Sequence, residues 1–190
     1  SDVFLHISKE YLEEPKNLVT FIKENKFEHL GLNGLTGYLW KLSILEKNEL
    51  INEKIEYLLS QLSDSFLHLS GKHYSPYILN GSSGLALFLL IYNFEKYEKQ
   101  IIKIANGMNV KFAKSMDFEK GLSGISYFLL ILYQKTGNKK YLYWADEQLK
   151  TCELFVKNKK LYNFYTKRYE ESFLKGYEGY KFTKELRRKL

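Results

Sequence analysis

A chain of 190 residues that is 45% hydrophobic and 27% charged has the composition of a packed globular protein, which excludes an intrinsically disordered chain. Only 2 prolines and 12 glycines interrupt it, so most of the chain can form helix, while 16 Tyr and 13 Phe supply a large aromatic core. The single cysteine, Cys152, cannot form an internal disulfide, and no signal-peptide pattern is present at the N-terminus. The longest apolar stretch, from Leu85 to Tyr92, is too short to cross a bilayer, so we predict a cytoplasmic protein without membrane contact.

The formal charge of +7 raises the question of a nucleic-acid partner. The basic residues are mixed with 22 acidic ones along most of the chain, which is typical of solvated helix faces. A basic excess is local to residues 157–168 and 184–189. We therefore expect no nucleic-acid partner.

In chain order, residues 1–29 are predicted to form a helical lead-in, and residues 30–179 contain four similar segments. Each segment contains a G-x-x-G sequence, called a glycine step below. The four glycine steps are Gly34-Leu-Thr-Gly37, Gly81-Ser-Ser-Gly84, Gly121-Leu-Ser-Gly124 and Gly176-Tyr-Glu-Gly179. Their first glycines are 47, 40 and 55 residues apart, which is the spacing of a two-helix repeat. We expect these glycines to permit an unusual backbone dihedral and a close approach at each helix start.

After each of the first three steps the chain is almost uniformly apolar, over residues 38–45, 85–92 and 125–133. A helix that is apolar all round is buried all round, so these segments predict three inner helices. The segment after Gly179 is too polar for a fourth inner helix, and residues 180–190 are expected to form a basic tail.

Between the inner helices, apolar residues at helical spacing predict amphipathic outer helices. The three stripes are Ile51, Ile55, Leu58, Leu59, Leu62, Phe66 and Leu69; Ile101, Ala105, Met108 and Phe112; and Leu142, Ala145, Leu149, Cys152 and Val156. Gly137 is predicted to end the third inner helix in the left-handed conformation. The fold class is therefore all-α, with helical hairpin repeats in two layers, either a closed α/α toroid or an open solenoid.

The third repeat, from Lys120 through Gly137-Asn138 to Ala145, resembles a complete repeat of the lanthionine synthetase C-like family. The resemblance covers about residues 30–179. It implies an α/α toroid and, in active members, addition of a peptide cysteine thiol to dehydroalanine or dehydrobutyrine. A full ring of this family needs more hairpins than the three clear repeats and the degenerate fourth, so the ring is expected to be incomplete. The chain is then either one segment of a larger synthetase or a reduced domain with a partner over its open edge.

Zinc-dependent members of the family bind the metal through two cysteines and one histidine, with ligands placed just before glycine steps. The residue pairs at those positions are Leu32-Asn33, Leu79-Asn80, Glu119-Lys120 and Leu174-Lys175. None contains cysteine or histidine, and Cys152 lies on the apolar stripe of an outer helix. We expect no metal site and no cofactor, as in the zinc-free cyclase-like domains of kinase-cyclase synthetases.

The loops before inner helices meet at one end of a toroid's cavity, so polar residues there are candidates for substrate binding. They are Asn33, Asn80, Asp117, Glu119, Lys120 and Lys175. The helix N-termini would favour a thiolate or an enolate. In the simpler interpretation, Asn33 and Asn80 are helix caps and the charged residues are solvated loop residues.

Two histidines are candidates for a catalytic base, because a histidine can deprotonate a thiol near neutral pH without a metal. His73, in the loop before the second step, is the first choice, and His29, five residues before Gly34, is the second. The stretch from Tyr162 to Tyr169 interleaves aromatic residues with Lys167 and Arg168, a composition that can serve single-stranded nucleic acid by stacking and phosphate contact. Within a repeat protein we expect instead a long loop or hairpin that packs on the ring, or a surface for a peptide or protein partner.

The predicted function is a cyclase-like component of a lanthipeptide synthetase, which promotes or supports thioether formation without zinc. The alternative is a non-catalytic subunit that binds precursor peptide or stabilises a kinase-cyclase partner. The expected partners are a precursor peptide and a protein, either a kinase-cyclase subunit or a second copy. An α/α-toroid glycosidase is disfavoured, because Asp117 and Glu119 have no second acid at a comparable step.

Overall fold

The computed structural model describes residues 2–63, 66–68, 74–111 and 113–190. The described chain is mostly helical, and it divides into two compact units, one ending at Ile104 and one starting at Ala105. The helices are α1 (Asp2–Tyr11), α2 (Leu18–Glu24), α3 (Leu35–Leu45), α4 (Glu49–Ser60), α5 (Ser82–Asn106), α6 (Leu122–Thr136), α7 (Lys139–Glu153) and α8 (Tyr177–Lys189). The strands are β1 (Leu62–Ser63), β2 (Phe66–His68), β3 (Tyr74–Ser75), β4 (Val156–Lys157), β5 (Lys160–Asn163) and β6 (Arg168–Glu170).

The three predicted inner helices are confirmed as helices that start immediately after the first glycine of a step. Helix α6 is buried over residues 122–130, and the first turns of α3 and α5 are buried in the same way. The last turn of α3 is not buried, since Ile44 and Leu45 are 64% and 71% exposed. In α5 the burial ends before Ile91, which is 51% exposed. Helix α6 ends at Gly137, whose φ of 70° is the predicted left-handed conformation.

The second inner helix and the outer helix that follows it are joined directly within α5. Asn93 interrupts the helical dihedrals with φ −163° and ψ 82°, and its side-chain oxygen accepts a hydrogen bond from the Lys96 amide at 3.2 Å. An asparagine in extended conformation that binds the amide three residues later is an N-cap. The second inner helix and the following outer helix are therefore separated by the capping residue Asn93, directly after the apolar segment 85–92, and not by a loop.

The outer helices are shorter than the predicted stripes. Ile51, Ile55 and Leu58 are buried on α4, and Ala145, Leu149 and Cys152 on α7, as predicted. Beyond the helix ends, Leu62 and Phe66 lie in strands, Val156 lies in β4, and Met108 follows α5. Leu69 and Phe112 lie outside the described residues.

The prediction of an all-α chain missed two small antiparallel sheets, with strand orders β1-β2-β3 and β4-β5-β6. The pairing of β5 with β6 confirms the hairpin that was one of the alternatives for the stretch from Tyr162 to Tyr169. In the second sheet Lys157 is opposite Lys160 and Tyr162 is opposite Tyr169. Asn158 and Lys159, with φ of 53° and 58°, form the two-residue turn between β4 and β5. Such a turn needs positive φ at both positions, and without a glycine the sequence carried no hairpin signal there.

The fourth glycine step also begins a helix, α8. Gly179, Tyr180 and Thr183 are buried on one side of it. Residues 180–190, predicted as a basic tail, are therefore helical as far as Lys189, and the exposed residues among them include Lys181, Lys184, Arg188 and Lys189. In the second unit α6 packs against α7 and α8, and in the first unit α3 packs against α2 and α4. Closure of the helices into a ring stays a prediction.

A loop that folds back onto its helix precedes each glycine step. These are loop 1 (residues 29–34), loop 2 (75–81), loop 3 (115–121) and loop 4 (170–176). A Cβ built on the first glycine of each step would lie within 2.5 Å of the carbonyl oxygen of the residue that starts the loop. Those residues are His29, Ser75, Ser115 and Glu170. The glycines are required by this close approach and not by an unusual φ, since φ is −153° at both Gly34 and Gly121.

The same two hydrogen bonds close the first three loops. The third residue of the step, Thr36, Ser83 or Ser123, donates both its amide and its hydroxyl to one loop carbonyl. The hydroxyl distances are 2.6 Å to Leu30, 2.5 Å to Pro76 and 2.5 Å to Met116. In the fourth step Glu178 has no hydroxyl, and only its amide donates, to the Glu171 carbonyl at 3.0 Å. The unit repeated in all four steps is thus a loop and a helix joined by the amide of the third step residue, and in the first three steps a hydroxyl of that residue adds a second bond.

This geometry predicts opposite behaviour for two glycine substitutions in the second unit. Gly121→Ala places its Cβ 2.5 Å from the Asp117 amide nitrogen and should destabilise the protein by more than about 3 kcal/mol, because backbone cannot give way as side chains do. Gly137→Ala meets no atom within 4 Å and should cost only about 1 kcal/mol for its left-handed φ. Urea unfolding of both variants measures the difference. Equal losses would contradict the close-approach account.

Candidate functional site

Loops 1 and 2 lie side by side in the first unit. The Asn33 amide donates to the Leu79 carbonyl at 3.1 Å. The side-chain oxygen of Asn80 accepts from the Ser75 hydroxyl at 2.7 Å, while the buried Oδ1 of Asn33 has no hydrogen-bond partner among the described residues. Neither asparagine therefore caps a helix, and both hold or line the loop pair.

Loops 3 and 4 lie side by side in the second unit in a similar way. The Glu119 amide donates to the Leu174 carbonyl at 3.0 Å. The Lys175 ammonium lies 3.2 Å from the Glu119 carboxylate, whose side chain is only 2% exposed. The structure thus joins two of the predicted site residues in an ion pair between a buried carboxylate and a partly exposed ammonium group.

Asp117 is the most deeply buried carboxylate of loop 3, with no exposed surface. Its Oδ2 accepts a hydrogen bond from the Lys120 amide at 2.9 Å, and its Oδ1 has no partner within the described part of the chain. Burial raises the pKa of Asp117, although the Ser115 hydroxyl and the Lys120 amide act in the opposite direction. A carboxyl with a raised pKa and a free oxygen can hold or release a proton.

The hairpin β5–β6 is tied to loops 3 and 4 at its tip. Asn163 is 2% exposed, and its side-chain oxygen accepts from the amides of Tyr165 and Thr166. Its side-chain nitrogen donates to the Lys175 carbonyl at 3.0 Å, and the Phe164 amide donates to the Ser115 hydroxyl at 3.0 Å. These bonds fix the hairpin tip against both loops.

Two lysines of the loop 3 region contact the hairpin tip. The Lys114 and Lys120 ammonium groups lie 4.5 and 4.6 Å from the centroid of the Tyr165 ring, within cation–π range. Lys120, a predicted site residue, therefore turns toward the hairpin, and no carboxylate pairs with its ammonium among the described residues.

Cys152 has no exposed surface, its sulfur lies 3.5 Å from the Ser123 hydroxyl oxygen, and its thiol donates to the Met116 carbonyl at 3.7 Å. Burial raises the pKa of its thiol to about 12. A thiol in that state is neither a nucleophile nor a metal ligand near neutral pH, which agrees with its interpretation as a small core residue.

The first-turn amides of the inner helices are already occupied. On α3 the amides of Leu35, Thr36 and Gly37 donate to carbonyls of loop 1, and on α6 those of Leu122 and Ser123 donate to carbonyls of loop 3. The loops have folded back onto the positions that an anion would need. Any stabilisation of negative charge here has to come from side chains.

Of the two candidate histidines, His29 is the one that lies in the described part of the chain. His29 is exposed at the start of loop 1, where its carbonyl accepts from the Leu35 amide at 3.0 Å, and His73 lies outside the described residues. Within the described ranges, no three His, Cys, Asp or Glu side chains converge in an arrangement that could hold a metal ion.

Sequence reasoning singled out the stretch that contains Asn163 and Tyr165 but not the contacts of these two residues, and it missed Lys114. Asn163 had a usable signal, because an asparagine followed by two turn residues often forms a side-chain-closed turn. Lys114 had none, since its contact with Tyr165 spans about fifty residues of sequence.

No protein-family model matches the chain, and no curated protein matches its sequence significantly. None of the helices in the described part of the chain is long and apolar enough to cross a membrane.

The Glu119–Lys175 pair predicts a specific loss of stability. Lys175→Met leaves a nearly buried carboxylate without its counter-ion and should cost about 1–3 kcal/mol, below the usual range for buried pairs because Lys175 is 31% exposed. The control is Lys184→Met, whose pair with Glu153 is exposed on both sides and should contribute less than about 1 kcal/mol. Denaturant unfolding of both variants measures their losses in the free energy of unfolding. A smaller loss for Lys175→Met than for the control contradicts this ranking.

The raised pKa of Asp117 predicts a pH-dependent gain in stability for Asp117→Asn. The folded state binds the Asp117 proton more tightly than the unfolded state does. The contribution of Asp117 to the free energy of unfolding is therefore greatest in acid, and it is lost as pH rises through the pKa that Asp117 has in the folded state. Asparagine keeps an acceptor for the Lys120 amide and carries no charge. The free energy of unfolding should therefore increase relative to wild type at about pH 7, and less so at about pH 3.

The control for this prediction is Asp117→Ala, which also removes the acceptor and should destabilise the protein at both pH values. Unfolding is followed by circular dichroism in both buffers. An Asn variant that is less stable than wild type at neutral pH excludes a net desolvation cost at Asp117.

Proposed function

We propose that this chain is a cyclase-like component of a lanthipeptide synthetase, which promotes or supports thioether formation without zinc. The observation that supports this most is the repeated loop-and-helix unit at four glycine steps, closed by the same backbone hydrogen bonds each time. The polar candidates of the second unit gather where two of these loops meet. This repeat is the feature on which the family resemblance rests.

The reaction adds S–H across a carbon–carbon double bond. The peptide thiol loses its proton, the sulfur forms a bond to the β-carbon of dehydroalanine or dehydrobutyrine, and the double-bond electrons move to the α-carbon as an enolate. The α-carbon then takes up a proton, so the peptide keeps its mass. A group is needed to stabilise the enolate, and another to supply a proton.

The described residues that suit these roles are Lys175 and Asp117. Lys175 is partly exposed and is held by Glu119, so a cation is present at the surface of the loop pair. Asp117 lies in the same loop as Glu119, with a raised pKa and one oxygen free of hydrogen bonds. Its burial requires loop 3 to move before a peptide reaches it.

A specific observation favours the alternative, a non-catalytic subunit that binds the precursor peptide. The inner-helix amides that could stabilise an enolate are occupied by loop carbonyls, and the Cys152 thiol is buried with a pKa of about 12. A chain with this geometry can present loops to a peptide and leave the addition to a kinase-cyclase partner.

One assay separates the two candidates. A synthetic peptide with one dehydroalanine and one cysteine is incubated with the purified chain, and the remaining thiol is counted by N-ethylmaleimide labelling and mass spectrometry. A cyclase-like component is expected to accelerate thiol loss about a hundredfold or more over buffer, which is the usual effect of one positioned acid or base. Labelled peptide that binds without accelerated thiol loss identifies the binding subunit. If the peptide neither binds nor loses thiol faster than in buffer, both candidates are contradicted.

A further inference from the structure

A cleft lies in the first unit, between the segment that follows α2 and helix α4. We call it the α2–α4 cleft. Its volume is about 310 Å³, and its apolar lining consists of Phe27, Leu30, Leu35 and Tyr57. That volume is at the lower end of the range for small-molecule sites, so the cleft suits one small molecule and not a whole helix.

The inner part of the α2–α4 cleft is held in place by packed neighbours. The Phe27 ring contacts the rings of Phe21 and Tyr38, with centroid distances of 5.9 and 5.5 Å. Leu30 and Leu35 are buried, and the Leu30 carbonyl accepts the amide and hydroxyl of the first glycine step. These walls exist before a ligand arrives, which lowers the entropy cost of binding.

The outer wall of the cleft is the ring of Tyr57 on α4. Its side chain is 48% exposed, although it lies next to apolar lining residues. A ligand with an apolar body would cover both this ring and the half-buried ring of Phe27. Aromatic and branched aliphatic groups gain most from contact with two aromatic rings.

Three charged side chains complete the lining, namely Glu24, Lys26 and Lys54. Within the described part of the chain, no ion pair involves any of the three. The lining therefore carries one more positive than negative charge, and Lys54 is half-buried, where its charge is less screened than on open surface. An anion that enters the cleft is attracted by either lysine and repelled by Glu24 alone.

We propose that the α2–α4 cleft binds a small carboxylic acid that has an aromatic or branched aliphatic body. The body lies between Phe27 and Tyr57, and the carboxylate accepts a charge-assisted hydrogen bond from a lysine ammonium. This binding site is separate from the proposed function, because none of the candidate residues for thioether chemistry lines the cleft. Failure of the thioether assay would therefore leave this proposal standing, and the reverse also holds.

The test uses 3-phenylpropionate and its neutral amide, 3-phenylpropanamide, which have the same apolar body. Each is titrated at about pH 7, where the acid is ionised, into the ¹⁵N-labelled chain, and amide shifts are followed by NMR. The acid should bind with a dissociation constant of about a millimolar or below and at least about tenfold more tightly than the amide. The largest shifts should include the backbone amides of Phe27, Leu35 and Tyr57.

Variants assign the charge preference to the two lysines. The double variant Lys26→Gln, Lys54→Gln should bind acid and amide equally. The matched control Lys23→Gln, Lys47→Gln removes two exposed charges of the same unit that do not line the cleft, and it should keep the preference. If the double variant fails to fold, Lys54→Gln alone should lose part of the preference. Circular dichroism reports which variants are folded.

The apolar contribution is tested separately with acetate, which lacks the body and should bind at least about tenfold more weakly than 3-phenylpropionate. Tyr57→Ala should weaken binding of 3-phenylpropionate, and Tyr57→Phe should retain it. Equal binding of acid and amide, an unchanged preference in a folded lysine variant, acetate binding as tight as that of 3-phenylpropionate, or shifts confined to amides outside the cleft would overturn the proposal.

Discussion

The backbone of each loop before an inner helix passes so close to the helix start that only a glycine leaves room for it. At Gly81 and Gly176 a Cβ would lie 2.1 and 2.2 Å from a loop carbonyl oxygen, a distance that no side chain can occupy. In the first three steps the close approach lets one loop carbonyl accept both an amide and a hydroxyl of the step, and in the fourth it accepts an amide alone. The loop, the helix start and the neighbouring loop are thereby fixed as one piece, because buried backbone groups must be paired.

This arrangement decides what chemistry the loops can carry. Helix N-termini are ordinarily good anion sites, but here their amides are used to hold the loops. The side chains of the loops are then the groups that remain for a substrate. They differ between the units, since loops 1 and 2 offer the neutral Asn33 and Asn80, whereas loops 3 and 4 offer Asp117 and the Glu119–Lys175 pair. The charged candidate site residues of these loops therefore lie in the second unit.

The hairpin β5–β6 also holds loops 3 and 4 in position through hydrogen bonds at its tip. Asn163 uses both ends of its side chain, one to close the hairpin tip and one to hold the Lys175 carbonyl. The same tip carries Tyr165 to the two lysines of the loop 3 region. A small sheet between α7 and α8 thus sets the position of cations that belong to the preceding repeat. Burial of Asn163 makes this link stiff, because an unpaired amide there would cost free energy.

The sequence alone was enough to locate the inner helices, the end of α6 at Gly137, the buried faces of α4 and α7, and the loops that hold the polar candidates. Those features depend on local periodicity and on glycine, which act over a few residues. Tertiary structure decided the rest. The burial of Asp117, the partner of Lys175 and the contact between Lys120 and Tyr165 all depend on residues far apart in the chain. Burial and pairing are properties of the packed neighbours, so periodicity placed Glu119 and Lys175 in loops but could not show that they form a pair.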